Sequence, residues 1–311
     1  MDRKEFLKRV ALAGLTTSSC LFPTCAVLAQ QGQTKSGELF DLVAVMGGEP
    51  AEMLEKGMDA IGGIERFVKN GDRITIKPNI GWDKTPELAG NTNPDLIVSL
   101  IKACKDAGAK EVIVFDHTCD NWRKCYENSG IEDAAIKAGA KVMPGNENGY
   151  YREISLPKAK NLKKAKVHQA ILDCDAWFNV PILKNHGGAK ITVAMKNLMG
   201  IVFDRQYFHQ HDLEQCIADI CTIEKPAALN IVDAYRVLKS NGPRGKNLSD
   251  VVQPKGLFLS TDIVAVDTAA IKFFGQIEAM PLDSIAYLSN GQDLNVGTMD
   301  LDSLKIKRIR M

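Results

Sequence analysis

The chain has 311 residues, of which 45% are hydrophobic and 25% are charged. This composition suits one large or two smaller globular domains and excludes a low-complexity disordered chain. Its 39 lysines and arginines are balanced by 38 aspartates and glutamates, so it lacks the basic excess that nucleic-acid binding normally requires. We therefore expect a small ligand and no nucleic-acid partner.

The N-terminus has the pattern of an export signal. Basic residues between Arg3 and Arg9 precede an apolar stretch, which ends in small residues at Ala29. This pattern predicts a signal peptide over residues 1–29, cleavage near Ala29 and a periplasmic location. Thr16 to Ser19 and Pro23 interrupt the apolar stretch, so no stable membrane span is expected.

Two details bear on the export route. Residues 2–8 resemble the twin-arginine translocation signal, with Lys4 in place of the second arginine. A lipoprotein is the less favoured interpretation, because neither Cys20 nor Cys25 has a leucine three residues upstream.

From residue 39 onward, strand-like segments alternate with helix-like segments. Strands are predicted over residues 39–46, 73–78, 111–115, 141–143, 176–180, 228–233 and 256–260, and helices over 52–68, 94–107, 131–138, 213–222, 263–274 and from Pro281 to Asn290. This rhythm predicts an α/β fold, with a predominantly parallel sheet flanked by helices on both faces. We expect residues 30–311 to form a single domain.

The stretch over residues 150–170 breaks this rhythm with five lysines between short apolar elements. It predicts a Lys-rich surface hairpin or excursion, and a possible subdomain boundary. His168 lies in this stretch and is expected at the surface.

The cysteines limit the cofactors that the chain can hold alone. No Cys-x-x-Cys occurs, so neither a self-contained iron–sulfur motif nor a zinc finger is expected. Cys119 and Cys125 flank a short polar loop and form the best candidate disulfide for an oxidising compartment.

The segment from Asn179 to Gly200 carries the strongest functional signal. It sets Lys184, Lys190 and Lys196 in an otherwise apolar run. Burying an unpaired ammonium is unfavourable by several kcal/mol, so these lysines must reach solvent, pair with acids or line a cavity that receives an anion. We interpret the segment as one wall of a binding site.

Polar residues also follow several predicted strands, where ligands of open α/β sheets bind. They are Lys77 and Asn79 at the close of the second strand, Asp116 to Thr118 at the close of the third, Lys184 to His186 after the strand over residues 176–180, and Asp233 at the close of the strand over residues 228–233. Their grouping at strand ends predicts one functional site.

These residues resemble the domain of unknown function 362 family, α/β proteins often fused to ferredoxin-type modules. The resemblance rests on segments 76–79, 92–94, 108–109, 179–184, 196–200, 241–245 and 262–267, together with Asp233. It implies functional positions at Lys77, Asn79, Lys184, His186, Lys196, Asn197, Asp233, Asn241 and Asp267, and His209 matches a histidine common in the family. The chain has no clustered-cysteine ferredoxin module, so an electron-transfer role would require a ferredoxin-like partner or a non-cysteine cofactor.

The stretch from Lys184 to Gly200 is also remotely similar to the N-terminal part of the nickel-pincer lactate racemases. Those enzymes have a histidine and a Gly-Gly-Arg-Lys-type loop at the comparable place, where this chain has Gly187, Gly188, Ala189 and Lys190. The arginine of that loop is missing here.

The leading hypothesis is an exported oxidoreductase or isomerase that uses a cofactor or metal for redox or proton-transfer chemistry on a small anionic substrate. The alternative is a non-catalytic periplasmic binding or carrier protein for an anion, metal or cofactor. The candidate catalytic residues are His117, Lys184, His186 and His209, and the candidate substrate-binding residues are Lys77, Asn79, Lys190, Lys196, Asn197, Asp233, Asn241 and Arg244. The histidines leave metal binding open, since neutral imidazole is a common metal ligand.

Overall fold

A computed structural model describes residues 39–311. The expected export signal, with Cys20 and Cys25, lies outside the described residues. Within them, the strands are β1 (Leu42–Met46), β2 (Arg73–Pro78), β3 (Glu111–Val114), β4 (Lys141–Val142), β5 (Tyr151–Ser155), β6 (Lys164–His168), β7 (Ala176–Val180), β8 (Ile182–His186), β9 (Lys190–Thr192), β10 (Leu229–Leu238), β11 (Val251–Val252), β12 (Gly256–Ser260) and β13 (Ile306–Arg310).

The α-helices of the same residues cover the sheet. They are α1 (Pro50–Ala60), α2 (Pro94–Asp106), α3 (Trp122–Asn128), α4 (Ile131–Lys137), α5 (Gln169–Leu172), α6 (Ala194–Asn197), α7 (Gln206–Gln210), α8 (Leu213–Ile220), α9 (Ile263–Phe274) and α10 (Ala286–Asp293). None of them is long and apolar enough to cross a membrane.

One large sheet runs through the molecule in the order β13-β1-β12-β10-β7-β2-β3-β4. Its β2, β3, β4, β7 and β10 pair in parallel, whereas β12 lies antiparallel between β1 and β10. The prediction of an α/β fold with a mostly parallel sheet is confirmed. The antiparallel β12 departs from the predicted rhythm of strand, crossover helix and parallel strand.

Apolar side chains of the sheet alternate between two cores. Ile113 and Phe258 pack into one core, while their neighbours Val112, Val114 and Leu257 pack into the other. Successive side chains of a strand point to opposite faces, so both faces are buried and need helices over them. Helices α8 and α9 contribute side chains to the first core, and α1 and α2 to the second, so the predicted cover of helices on both faces is confirmed.

Local chemistry sets several element boundaries. β2 ends at Pro78, which has no N–H for the ladder, and α2 begins at Pro94 after Asn93, whose side chain accepts a hydrogen bond from the Asp95 N–H at 3.1 Å. The helix predicted over residues 52–68 is wrong in length. It ends at Ala60 because the following Gly62 and Gly63 take positive φ angles of 107° and 82°.

The Lys-rich excursion is a separate hairpin of β5 and β6. Lys164 and Lys166 are exposed, and Ala165 and Val167, which alternate with them, are buried. The expectation that His168 lies at the surface is wrong. It is fully buried, its ring stacks on Phe115 with centroids 4.0 Å apart, and its Nδ1 accepts a hydrogen bond from the Ala170 N–H at 3.1 Å.

The candidate disulfide is not formed. Cys119 is an exposed free thiol and Cys125 a buried one. The Cys125 thiol is directed to the Gly81 carbonyl at 3.8 Å, and the Cys119 sulfur contacts Arg205.

Candidate functional site

A small cleft lies beyond the carboxyl ends of β2, β3 and β8. Its volume is about 50 Å³, which is room for roughly three to five water-sized groups. It brings together seven of the predicted site residues, namely Lys77, Asn79, His117, Lys184, His186, Lys196 and Asn197. The other lining side chains include Asp116, Thr192, Arg205, Trp82 and Cys119.

An ion pair forms the floor of the cleft. Lys77 is the penultimate residue of β2, and Asp116 follows the neighbouring parallel strand β3. The Lys77 Nζ lies 2.8 Å from the Asp116 Oδ1, and both side chains are at most 3% exposed. The other carboxylate oxygen of Asp116 accepts a hydrogen bond from the Ile80 N–H at 2.6 Å. Burial lowers the pKa of Lys77, and Asp116 opposes that shift.

Gly200 allows this ion pair to form. A Cβ at position 200 would lie 2.0 Å from the Asp116 Oδ1 and 2.6 Å from the Lys77 Nζ. Only a residue without a side chain leaves room for the pair.

Asn197 connects the polar side chains of the floor. Its Oδ1 accepts hydrogen bonds from the Lys77 Nζ at 2.8 Å and from the Asn79 Nδ2 at 2.9 Å. Its Nδ2 donates to the Asn179 Oδ1 at 2.8 Å. Such a connected network fixes the orientation of each member.

Lys184 is buried and has only neutral partners. Its Nζ donates to the Asn79 Oδ1 at 2.9 Å and to the Gly90 carbonyl at 2.6 Å. Burial, with the nearby Lys196 also contributing, lowers the pKa of Lys184 from 10.5 to about 7. Its charge therefore lacks a carboxylate counterion.

Lys196 is the least satisfied cation of the cleft. It lies on α6 and is partly buried, and within residues 39–311 its ammonium makes neither a hydrogen bond nor an ion pair. Burial lowers the pKa of Lys196 from 10.5 to about 8, with Arg205 and Lys77 adding to the shift. A bound anion would remove this penalty.

The hydrogen bonds of His186 define its tautomer. The Nδ1 of His186 accepts from the backbone N–H groups of Gly188 and Ala189, at 3.0 and 3.1 Å. The proton of the neutral ring is therefore on Nε2, which is a donor. Burial lowers the pKa of His186 to about 3, with Lys196 and Lys184 adding to the shift.

His117 has the opposite tautomer. Its Nδ1 lies 3.0 Å from the Val202 carbonyl, which can only accept, so Nδ1 carries the proton and the Nε2 lone pair is available. Burial, with Arg205 contributing, lowers the pKa of His117 to about 4. The cleft thus contains one neutral histidine able to accept a proton and one able to donate a hydrogen bond.

Several lining residues were not in the predicted set. Arg205 donates to the His117 carbonyl at 3.0 Å and contacts the Cys119 sulfur at 3.1 Å, and its Nε has no partner among the described residues. The Thr192 hydroxyl is likewise buried without a partner in the described part of the chain. Asp116 stands at a strand end that the sequence pattern had marked, whereas Arg205 follows no strand and gave no such signal.

Five predicted site residues do not line the cleft. His209 is exposed on α7, although its charge acts on His186. Lys190 is exposed and donates to the Ser284 carbonyl. Asp233 is buried, accepts from the Asn93 and Tyr235 N–H groups at 2.8 and 2.9 Å, and anchors the start of α2.

The other two belong to the loop after β10. Asn241 donates to the Asp250 Oδ1 at 2.7 Å. Arg244 pairs with Asp120 and lies over the Trp82 ring, 4.5 Å from its centroid. Of this loop, only Pro243 lines the cleft.

The arrangement of side chains that could coordinate a metal gives little support for a metal site. No group of three or more His, Cys, Asp or Glu side chains within residues 39–311 is placed to hold a metal ion. The donor tautomer of His186 also leaves no lone pair toward the cleft. The side chains present fit an anion better than a cation.

The balance of charges in the lining explains why the cleft fits an anion better than a cation. The lining contains the cationic side chains of Lys77, Lys184, Lys196 and Arg205 against the single carboxylate of Asp116. Because Lys77 already pairs with Asp116, the other three cations lack a negative partner in the lining. A partly buried site of this kind attracts a small anion.

Comparisons with known proteins give the family. Residues 74–272 match the family described as domain of unknown function (DUF362). The thylakoid-associated protein sll1697 of Synechocystis sp. (strain ATCC 27184 / PCC 6803 / Kazusa) is 24% identical over 243 residues, which cover 74% of this chain and 74% of that protein.

Among solved structures, the lactate racemase apoprotein of Thermoanaerobacterium thermosaccharolyticum aligns with a TM-score of 0.43 and 12% identity. The alignment covers 69% of this chain and 53% of that one, so the chain spans about half the length of that protein. The match to the family covers more than half of the chain, including every cleft lysine. The protein belongs to the DUF362 family.

Proposed function

We propose that the protein binds a small carboxylate in this cleft and transfers a proton on it. The observation that carries the proposal is the excess of cations, because Lys184, Lys196 and Arg205 converge on a small cavity whose one carboxylate is already paired with Lys77. A carboxylate would accept hydrogen bonds from these cations, and charge-assisted hydrogen bonds are the strong ones.

The proposed proton transfer depends on the two histidines of the cleft, His117 and His186. His117 has a free Nε2 lone pair and would accept a proton from the bound molecule, while the Nε2–H of His186 would hydrogen-bond an oxygen on which charge develops. A bound anion raises the pKa of His117 toward neutrality, where a general base is most effective.

A non-catalytic carrier is the second candidate. One observation favours it: three of the four cationic side chains in the lining have no carboxylate partner there, which accounts for anion binding without any proton transfer. Redox chemistry would in addition require an electron-transfer partner or a cofactor.

Solvent exchange separates the two candidates. The full-length protein is incubated in D₂O with pyruvate, whose C3–H is acidic, and deuterium incorporation is followed by NMR. We expect faster exchange with the wild-type protein than with His117→Gln, and equal pyruvate affinity in both. Binding without exchange would support the carrier, and the absence of binding to pyruvate and phosphate alike would overturn both candidates.

A further inference from the structure

A second cavity opens beside the cleft. Its volume is about 620 Å³, and it shares His117 and Arg205 with the cleft. It lies between the β5–β6 hairpin and the segment from Val202 to Tyr207. The residues that would hold the acid and accept its proton therefore border both spaces.

The sizes of the two spaces differ by an order of magnitude. The cleft of about 50 Å³ accommodates a carboxylate and little else. Small-molecule sites usually have several hundred Å³ and enclose most of their ligand, which is the size of the second cavity. A ligand larger than its acid group would have to extend past His117 and Arg205.

The walls of the second cavity indicate the nature of that extension. Leu162, Ala165 and Val202 are buried apolar residues. The Phe203 ring stacks on His117 with centroids 5.7 Å apart, and the Tyr207 ring stacks on His211 at 3.8 Å. Both aromatic rings are thus held in place and offer apolar surface.

The charges at the hairpin side are nearly balanced, because Glu153 and Asp204 line the cavity together with Lys164 and Lys166. Lys164 lies 3.0 Å from Glu153, and Lys166 donates to the Asn148 Oδ1 at 3.4 Å. This part of the cavity therefore makes no strong demand for a second anion.

We propose that the ligand is an aromatic carboxylic acid, with its carboxylate in the cleft and its ring in the cavity between Phe203 and Tyr207. This inference rests on the proposed binding of a carboxylate in the cleft and names the class of acid. The shared residues His117 and Arg205 lie where the carboxylate joins the aromatic body.

The test compares propanoate with 3-phenylpropanoate, which differ only in the ring, by calorimetric titration of the full-length protein. Burying the ring should tighten binding about tenfold or more. Gln206 is exposed and lines the cavity, whereas Gln210 on the same helix is exposed and does not line it. Gln206→Trp should abolish the preference for the aromatic acid, and Gln210→Trp should retain it.

The outcomes separate the two proposals. Equal affinity for both acids, unaffected by Gln206→Trp, would overturn the aromatic subsite while the carboxylate site stands. Tight binding of 3-phenylpropanoate that Lys196→Met does not weaken would place the acid outside the cleft and overturn both. Binding of neither acid would also overturn both.

Discussion

At the scale of single residues, the cleft depends on the buried Lys184 and the partly buried Lys196, neither of which has a carboxylate partner among the described residues. The loss of hydration is the first cause of the lowered pKa of Lys184 and of Lys196. Their protonation and anion binding are therefore linked.

This linkage predicts opposite effects of pH on stability and binding. With a pKa near 7 in the folded state and 10.5 otherwise, Lys184 binds fewer protons when folded. Its contribution to stability is present above pH 10.5 and is lost as the pH falls toward 7. An anion needs the charged lysines, so its affinity should instead fall as the pH rises from 7 to 9.

Calorimetry in buffers of different ionisation enthalpy measures this effect, because binding at pH 8 should take up protons. Lys196→Met should reduce the uptake. An affinity for pyruvate that is constant from pH 7 to 9 would contradict the role of these lysines.

Gly200 offers a second test at this scale. Gly200→Ala places a methyl group against the Asp116–Lys77 ion pair and should destabilise the fold by on the order of 3 kcal/mol, while weakening anion binding. A Cβ at Gly149 would meet no heavy atom within 4 Å, so Gly149→Ala is the matched control. Chemical denaturation measures both variants, and equal stability would show that the pair tolerates displacement.

At the scale of residues, the sequence predicted site residues correctly where a polar side chain stands at the end of a strand. Lys77, Lys184 and His186 were located in this way, since strand ends converge in parallel sheets. Asp233 has the same signal but anchors the start of α2. Lys190, predicted as a lysine in an apolar run, contacts Ser284 instead, and Arg205 reaches the cleft from a loop. The direction of a loop side chain depends on tertiary packing, which strand periodicity does not encode.

At the scale of elements, the position of α6 is set by a residue distant in sequence. The buried carboxylate of Asp267 on α9 accepts hydrogen bonds from the Ala194 and Met195 N–H groups, at 2.7 and 3.0 Å. It thereby fixes the short helix that carries Lys196 and Asn197. Asp267 is a positioning residue of the site.

Asp267→Asn should therefore destabilise the protein by about 1–3 kcal/mol, because one buried N–H loses its acceptor, and should also weaken pyruvate binding. Asp262 caps α9 through the Val264 and Ala265 N–H groups and does not line the cleft. Asp262→Asn should lower the melting temperature without lowering the affinity. Equal affinity losses in both variants would assign Asp267 a merely structural role.

The first and last residues of a helix or strand were predictable where neighbouring residues in the sequence set them. β2, α9 and β12 have the predicted bounds, helped by Pro78 and by Asp262 as cap. The helix expected from Pro281 is instead a 3₁₀ turn followed by α10. The antiparallel insertion of β12 depends on pairing between distant strands, which the alternation of strands and helices does not specify.

At the scale of the whole molecule, we propose that the chain is exported by the twin-arginine route, on the pattern from Arg3 to Ala29. Replacing Arg3 and Lys4 with glutamine should leave the precursor in the cytoplasm, as measured by cell fractionation. Export that persists in a strain without the twin-arginine translocase would contradict this route.

The central claim is that the cleft binds a carboxylate through Lys196, and calorimetric titration of pyruvate into three proteins tests it most directly. Lys196→Met should weaken binding about tenfold or more, while Lys160→Met, at an exposed lysine outside the cleft, should bind like the wild type with the same melting temperature. Equal affinity of all three proteins, or no binding to the wild type, would contradict the claim.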